Sequence, residues 1–425
     1  MIRRACFSIL AVFLVLLCTG GAPPLSAQTK HDDYDDIDPW LGFESQGAGP
    51  DSAMLASFLA ALAVSNPAVC QLAVGSIGNN WHGWNGDHRT GMLEGEASQD
   101  ASHESLSRPV TDPPALSLLA ESLGEQHPCV RRAAARLLGQ SGEPEAVRLL
   151  RAALRGSDVK AREAAALGLA YAEDPGSFHD LSRALHDGEP LVIRMAAYAL
   201  GELEDARAVK PLGELLGSKV AETRATAARA LGEIEDIRAV ERMKPLVRDG
   251  DPKVRLAAVE ALGQIEDFRA TGSLTGALRD KDVTVRRAAA EALGQVEDPK
   301  AAAALAQAID DPDPVVRRLA AQSLGELDGL KQAPARLVSA LSDHDPELAI
   351  LAAKSLGEIG DTAVVPSLTT AYRSENPRLR YAVVAAIADL DDRRGDGVLA
   401  LASKDRDQIV RHKAAEALRD RDDDD

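Results

Sequence analysis

Residues 251–267 have the sequence Asp-Pro-Lys-Val-Arg-Leu-Ala-Ala-Val-Glu-Ala-Leu-Gly-Gln-Ile-Glu-Asp, and this motif indicates the architecture of the chain. Asp251 is a predicted helix N-cap, and Pro252 fits the first helical position, where its missing N–H is not needed. Apolar residues then recur every four positions, which predicts one buried helix face. These residues are Val254, Ala258 and Leu262. Asp267 is predicted to cap the helix that follows, so the motif belongs to an array of paired, short antiparallel helices. We call the helix of this motif the second helix of its repeat, and the helix after Asp267 the first helix of the next repeat.

The motif is repeated along the chain. A glycine preceded by a bulky aliphatic residue recurs at intervals of 29 to 33 residues, at Gly139, Gly168, Gly201, Gly232, Gly263, Gly294, Gly325 and Gly357. Two further steps of 31 residues reach Ala388 and Arg419, and an earlier copy ends at Gly78. We call these residues the reference positions. A constant period of this size predicts an all-α solenoid of about eleven two-helix repeats, which are stable only when stacked on their neighbours.

The string Asp-Pro-x-Val-Arg-x-x-Ala-Ala-x-Ala-Leu-Gly-x-Ile-x-Asp resembles HEAT repeats, in particular the short HEAT-like type named from phycobilisome lyases. It is clearest in residues 251–267 and 285–298. The resemblance covers about residues 51–420 and implies a right-handed α-solenoid. It does not imply one activity, because such repeats occur in scaffolds, adaptors, lyase subunits and a hydroxylase.

Residues 1–27 have the features of a signal peptide. Arg3 and Arg4 precede an apolar run that is too short to span a bilayer, and residues 25–27 provide a cleavage site before Gln28. We therefore expect a periplasmic or secreted protein without a membrane-inserted segment after processing.

The rest of the chain divides into three predicted parts. Residues 28–50 form an acidic, flexible segment, and residues 51–420 form the solenoid. An inserted loop over residues 79–114 interrupts the solenoid, and residues 421–425 form an acidic tail after a last helix that ends near Leu418.

Charge and cysteine content restrict the partners. Without the two arginines of residues 1–27, the chain has 46 basic and 66 acidic residues, a net charge of −20. This excess disfavours nucleic acid and anionic lipid, which are bound through phosphate neutralisation. Cys70 and Cys129 remain after processing, and an oxidising compartment permits a bond between them. They stand at different positions of their repeats, which favours the unpaired state.

One arginine recurs eight residues before the reference position, at Arg131, Arg224, Arg255, Arg286, Arg317, Arg380 and Arg411. Such a row could bind an anion. In HEAT-like repeats this arginine commonly pairs with an aspartate between repeats, and Asp249, Asp280 and Asp311 are available here. The resemblance therefore favours a structural ladder of ion pairs, which sets register more than it adds stability.

The candidate binding residues stand at register positions where the residue type varies from repeat to repeat. Residues seven, six and three places before the reference position are expected on the inner surface of the second helices. We predict partner contacts for Arg132, Arg136, Arg194, Tyr198, Arg229, Arg287, Arg318 and Tyr381, since arginine and tyrosine are favoured at interfaces. Leu256, Leu319 and Leu351 lie at these positions too, and core and surface roles are both open for them.

The inserted loop contains Trp81 and Trp84, which we also assign to partner binding, although packing against the solenoid edge is the simpler role. His82, Asp87 and His88 do not define a metal site, because no further ligand is specified. We therefore predict no metal and no cofactor.

Common catalytic motifs are absent from the sequence, and the single His-Glu pair, at 103–104, does not match the several pairs that hold iron in the HEAT-repeat hydroxylase. We predict no catalytic residues and no enzymatic activity. The expected function is a protein-interaction scaffold or adaptor of the bacterial cell envelope, with a protein or peptide partner on its concave face. The alternatives are a lyase-like accessory or catalytic subunit acting on a cofactor or tetrapyrrole, an oxidoreductase-type HEAT protein by family analogy, and a passive spacer.

Overall fold

A computed structural model describes residues 50–75, 77 and 109–423, and these residues form helices and turns without a β-strand. They belong to two compact units, which meet in the sequence between Leu203 and Glu204. None of the described helices is both long enough and apolar enough to cross a membrane. The predicted signal peptide at 1–27, most of the segment at 28–50, Trp81 and Trp84 lie outside the described residues.

The first unit contains four helix pairs in its described part. The helices are α1 (Ser52–Ala63), α2 (Pro67–Gly75), α3 (Pro113–Ser122), α4 (Pro128–Gly139), α5 (Pro144–Leu154), α6 (Val159–Ala172), α7 (Phe178–Ala184) and α8 (Pro190–Glu202).

The second unit contains seven pairs. Its helices are α9 (Val209–Leu215), α10 (Ala221–Glu233), α11 (Val240–Met243), α12 (Pro252–Gln264), α13 (Thr271–Ala277), α14 (Val283–Val296), α15 (Ala302–Ala308), α16 (Pro314–Glu326), α17 (Ala335–Ala340), α18 (Pro346–Ile359), α19 (Val365–Ala371), α20 (Pro377–Leu390), α21 (Asp396–Ala402) and α22 (Gln408–Asp423). Together the two units confirm the prediction of about eleven two-helix repeats.

The repeat of residues 251–267 folds as its sequence predicts. The Asp251 carboxylate accepts the backbone N–H of Lys253 at 2.8 Å, and Pro252 opens helix α12. Val254, Ala258 and Leu262 are each 0% exposed. Asp267 then caps a 3₁₀ turn that leads into α13. The short first helices thus begin with a tighter turn, and the longer second helices provide most of the repeat-to-repeat contact.

Successive second helices are offset by about two residues within each unit. A Cβ built on Gly232 would lie 2.9 Å from the Cα of Ala261, which stands two places before the next reference position. Gly263 has the same relation to Ala292, at 3.0 Å. A residue on one second helix therefore faces the residue of the next second helix that stands two register positions earlier. Glycine at the reference position allows the two helices to approach this closely.

One predicted reference position is wrong. A Cβ built on Gly139 would meet Gly168, just as a Cβ built on Gly232 would meet Ala261. Gly168 therefore stands two places before the reference position of α6, which is Ala170. With this correction the spacings on both sides become 31 residues. The glycine was misleading because it occupies the contact position of its repeat rather than the reference position.

The structure contains a disulfide between Cys70 and Cys129, which corrects the expectation that these thiols are unpaired. Their Cα atoms are 5.8 Å apart. Cys70 stands eight places before its reference position and Cys129 stands ten places before its own. This difference of two matches the offset between successive second helices. The bond joins α2 to α4.

A left-handed residue links the second helix of a repeat to the next first helix. It stands three places after the reference position, and it has φ between 45° and 54° at Glu173, Glu204, Glu235, Glu266, Glu297 and Asp391. Glycine occupies the same position at Gly142 and Gly360, with φ of 70° and 73°. Only glycine adopts this conformation without a steric cost, so the glutamates make these turns at some expense to stability.

Two predicted boundaries change. The inserted loop was expected to extend to Pro114, but α3 begins at Pro113, because Asp112 accepts the backbone N–H of Ala115 at 3.2 Å and caps the helix. The last helix was expected to end near Leu418, but α22 continues to Asp423. Its final residues include neither proline nor glycine, so nothing in the sequence interrupts the helix.

Candidate functional site

The arginines eight places before the reference positions form a structural ladder. Arg255 donates two hydrogen bonds to Asp280, Nε to Oδ2 at 2.7 Å and Nη2 to Oδ1 at 2.9 Å. Its Nη1 donates to the Asp249 carbonyl at 3.0 Å. Both side chains of the pair are nearly buried, with 5% and 12% exposure.

The aspartate of each ladder pair also shapes the turn in which it lies. Asp280 Oδ1 accepts the backbone N–H of Asp282, which caps the next helix. Equivalent pairs are Arg162–Asp187, Arg224–Asp249, Arg286–Asp311 and Arg380–Asp405. The hydrogen bond from Arg224 lowers the pKa of Asp249 despite the opposing effect of burial. The ladder prediction is confirmed for these pairs, and Arg162 joins the row because Ala170 is its reference position.

Arg287 and Arg318, which were predicted to contact a partner, form ion pairs between repeats. Arg287 donates Nη2 to Asp313 Oδ2 at 2.6 Å, and Arg318 donates Nε to Asp345 Oδ2 at 2.8 Å. Both aspartates are helix N-caps. The hydrogen bond from Arg287 is the main cause that lowers the pKa of Asp313 to about 2. These two arginines therefore have a structural role that their position in the sequence did not reveal.

Arg136 was expected on the surface, but it is only 5% exposed. Its Nη1 donates to the Val74 carbonyl at 3.2 Å, and its guanidinium carbon lies 5.3 Å from the centre of the Tyr171 ring. Tyr171 stands one place after the reference position, where the other repeats have no aromatic residue. The ring covers Arg136, which corrects its assignment as an exposed binding residue.

The remaining candidates keep different degrees of exposure. Arg132 is exposed, and Arg194, Tyr198 and Arg229 are half-buried. Tyr381 is 39% exposed. Arg194 and Arg229 each have a buried Nε atom without a hydrogen-bond partner in the described part of the chain. Leu256, Leu319 and Leu351 are half-buried, so they contribute to both the core and the surface.

The second helices of the second unit carry an acidic row that was not predicted from the sequence. Its exposed residues stand one place after the reference positions, at Glu233, Glu326, Glu358 and Asp389. Lys354 Nζ lies 3.4 Å from Glu358 Oε1, and Gln322 donates to Glu326 at 2.8 Å, so this row adjoins the one predicted to bind. The surface of the second unit therefore carries both charges. The recurring Gly-Glu dipeptide was the available signal.

A second charged cluster lies on the first helices of the first unit. The Asp180 side chain is fully buried, and it accepts hydrogen bonds from Arg151, Arg155 and Arg183. Burial alone would raise the pKa of Asp180, but the hydrogen bonds from Arg155 and Arg151 outweigh it and lower the pKa. Sequence analysis did not identify this cluster.

Within the described residues, no group of three or more histidine, cysteine or acidic side chains is placed to hold a metal ion. His82, Asp87 and His88 lie outside these residues. The described inner surface also lacks a grouped nucleophile and base, since its side chains are mainly arginine, glutamate, glutamine and aliphatic residues.

A comparison with protein families identifies the repeat. The profile of the family described as HEAT repeats matches seven overlapping ranges, 104–170, 148–232, 181–251, 210–283, 241–325, 273–348 and 334–419. No curated protein matches the chain.

Solved structures similar to the chain include an engineered protein and two natural ones. An engineered protein is 20% identical over 72% of this chain and 98% of its own, with a TM-score of 0.47. YibA of Escherichia coli is 23% identical over 57% of this chain and 92% of its own, with a TM-score of 0.41. Human deoxyhypusine hydroxylase, solved with glycerol, is 24% identical over 58% of this chain and 96% of its own, with a TM-score of 0.28. Because the family profile matches most of its length, this chain belongs to the HEAT repeat family.

Proposed function

We propose that this protein is a non-catalytic scaffold of the bacterial cell envelope, which binds a polypeptide partner on the inner surface of its second helices. The observation that carries this proposal is the state of Arg194. Its Nε is buried without a hydrogen-bond partner in the described residues, whereas Arg287, at the equivalent position, is neutralised by Asp313.

An arginine one helical turn from an aromatic residue suits an interface. Tyr198 lies one helical turn after Arg194 on the same face of α8, and both are half-buried. The Arg194 side chain as a whole is only half-buried, so a partner carboxylate or carbonyl would accept from the remaining N–H groups of its guanidinium. Arginine and tyrosine are also the side chains that most often dominate binding energy at protein interfaces. The partner segment would therefore present an oxygen acceptor next to an apolar contact.

Export to the envelope is supported by the signal-like sequence of residues 1–27. The absence of catalytic activity is supported by the lack of a common catalytic motif in the sequence. Cell fractionation tests export directly, and a protein found only in the cytosol would contradict this part of the proposal.

Affinity capture with residues 28–425 from the envelope fraction, followed by calorimetric titration of the recovered partner, tests the binding surface. We expect Arg194→Ala with Tyr198→Ala to weaken binding by about tenfold or more, because interface hot spots contribute about 2 kcal/mol each. The matched control is Arg248→Ala with Phe268→Ala, which removes an arginine and an aromatic side chain from exposed positions in the 3₁₀ turns next to α11 and α13. Equal affinity of both variants for the partner would refute the assignment.

A further inference from the structure

Asp180 departs from the repeat pattern. It stands ten places after the corrected reference position Ala170, in the first helix α7. The equivalent residues of other repeats are not acidic; they are Leu149, Pro211, Arg242, Ser273 and Ala304. A buried carboxylate is not required to build this repeat, since the others fold without one. The buried carboxylate of Asp180 is therefore specific to this repeat of the first unit.

Three arginines surround this carboxylate. Arg155 donates Nε to Oδ1 at 2.8 Å and Nη2 to Oδ2 at 2.6 Å, and Arg151 donates Nε to Oδ2 at 2.7 Å. Arg183 donates Nη2 to Oδ1 at 3.2 Å. The cluster contains three positive charges and one negative charge, so it has an excess of two positive charges in a chain that is strongly acidic overall.

The arginines keep both exposure and hydrogen-bonding capacity. The side chains of Arg151, Arg155 and Arg183 are 35%, 49% and 56% exposed, whereas the Asp180 side chain is 0% exposed. A guanidinium group has five N–H donors. Each of these arginines uses at most two of them on Asp180. Asp180 thus holds the three guanidinium groups together on their buried side, and their remaining N–H donors can serve a second acceptor.

A cavity of about 300 Å³ opens against this cluster. Arg155, Arg183 and Asp180 line it, together with Leu154 and the ladder pair Arg162–Asp187. The ladder pair is neutral as a whole and Arg151 is not part of the lining, so the lining itself has an excess of one positive charge and the whole cluster an excess of two. The volume lies at the lower end of the range for small-molecule sites.

We propose that this cavity binds a phosphate dianion, either free phosphate or the terminal phosphate of a small monoester. The planar guanidinium forks match phosphate oxygens in geometry, and the excess of two positive charges matches a dianion better than a single carboxylate. The Asp180 carboxylate orients the forks before the ligand arrives, which reduces the ordering cost of binding. This site lies on the first helices, so it is independent of the proposed partner surface on the second helices.

Isothermal titration calorimetry of residues 28–425 tests the site with inorganic phosphate, glycerol 3-phosphate and acetate at constant ionic strength. The variant is Arg155→Gln with Arg183→Gln, which keeps the Arg151–Asp180 pair. Its control is Arg248→Gln with Arg279→Gln, which removes the same charge from exposed arginines that stand at the Arg155 position of two later repeats. Circular dichroism verifies that each variant is folded.

We expect phosphate binding to weaken by about tenfold or more in the Arg155/Arg183 variant, because it loses the charge-assisted hydrogen bonds of two guanidinium groups. Binding by the control variant should stay within about twofold of the wild type. Binding of glycerol 3-phosphate alone would assign the site to monoesters, and binding of inorganic phosphate alone would assign it to the free ion. No heat from either phosphate, equal loss in the control, or acetate binding as tight as phosphate would each overturn the proposal.

Discussion

Replacing Asp313 with asparagine separates two contributions of one side chain. Asparagine can still cap helix α16, but it loses the charge that pairs with Arg287 across the repeat boundary. The pKa of Asp313 falls from a usual value of 3.8 to about 2 in the folded chain. At 1.36 kcal/mol per pKa unit, this shift corresponds to about 2 kcal/mol of stability at pH 7, and the hydrogen bond from Arg287 is its largest cause.

The contribution should depend on pH in a defined direction. The folded-state pKa is lower than the unfolded-state pKa, so the stabilisation is complete above about pH 5 and is lost as the pH falls toward 2. We expect Asp313→Asn to lower the free energy of unfolding by about 2 kcal/mol at pH 7 and by about half as much at pH 3. Urea unfolding followed by circular dichroism measures this difference at each pH.

The preceding repeat provides a matched control. Asp282 caps α14 at the same register position, but the residue equivalent to Arg287 is Leu256, so no arginine of that row faces it. Asp282→Asn should change the free energy of unfolding by less than about 0.5 kcal/mol, as expected for a surface substitution that retains the cap. Equal losses for the two variants, or a loss at Asp313 that is the same at pH 7 and pH 3, would refute the ion-pair reasoning.

Three further perturbations test the packing. Leu262→Asp should lower the unfolding temperature and expose neighbouring repeats to proteolysis, because damage spreads through nearest-neighbour contacts; an unchanged melting curve would contradict the core assignment. Cys70→Ser with Cys129→Ser should destabilise the first unit by about 4 kcal/mol in non-reducing buffer, from the 59-residue separation of the cysteines, and reduction should affect only the wild type. Glu266→Gly should stabilise the chain to urea by about 0.5–1 kcal/mol, whereas Gly360→Ala should destabilise it by about 1 kcal/mol, because both residues are left-handed. The same sign for both would contradict that turn assignment.

The sequence was sufficient to predict the local structure of each repeat. The Asp-Pro start, the four-residue apolar spacing and the recurring period identified the caps, the core and the helix pairs. The pairing of Arg224, Arg255 and Arg286 with aspartates was also predicted, because the resemblance to HEAT-like repeats implies such pairs.

The contacts between repeats were harder to predict. The sequence assigns the same register to each second helix, but it does not show that successive helices are offset by two residues. This omission explains why Cys70 and Cys129 were expected to be unpaired. It also explains why contacts between residues at different register positions, such as that of Arg287 with the helix cap Asp313, were not predicted.

The candidate sites depend on single departures from the repeat. The Tyr171 ring buries Arg136, and Asp180 gathers three arginines, although neither effect has a periodic signal. Periodicity identifies what repeats share, so it predicts the scaffold well. A residue that occurs once requires the three-dimensional arrangement of its neighbours before its role can be assigned.

The order of residues in the ladder has a consequence for synthesis. In each aligned pair, such as Arg255 with Asp280, the arginine precedes its aspartate by 25 residues. The amino-terminal part of a chain leaves the ribosome first. A repeat that contributes a ladder arginine therefore receives the paired carboxylate only when that part of the following repeat has emerged. The nascent solenoid acquires its ion pairs in a fixed direction, always one repeat behind its growing end.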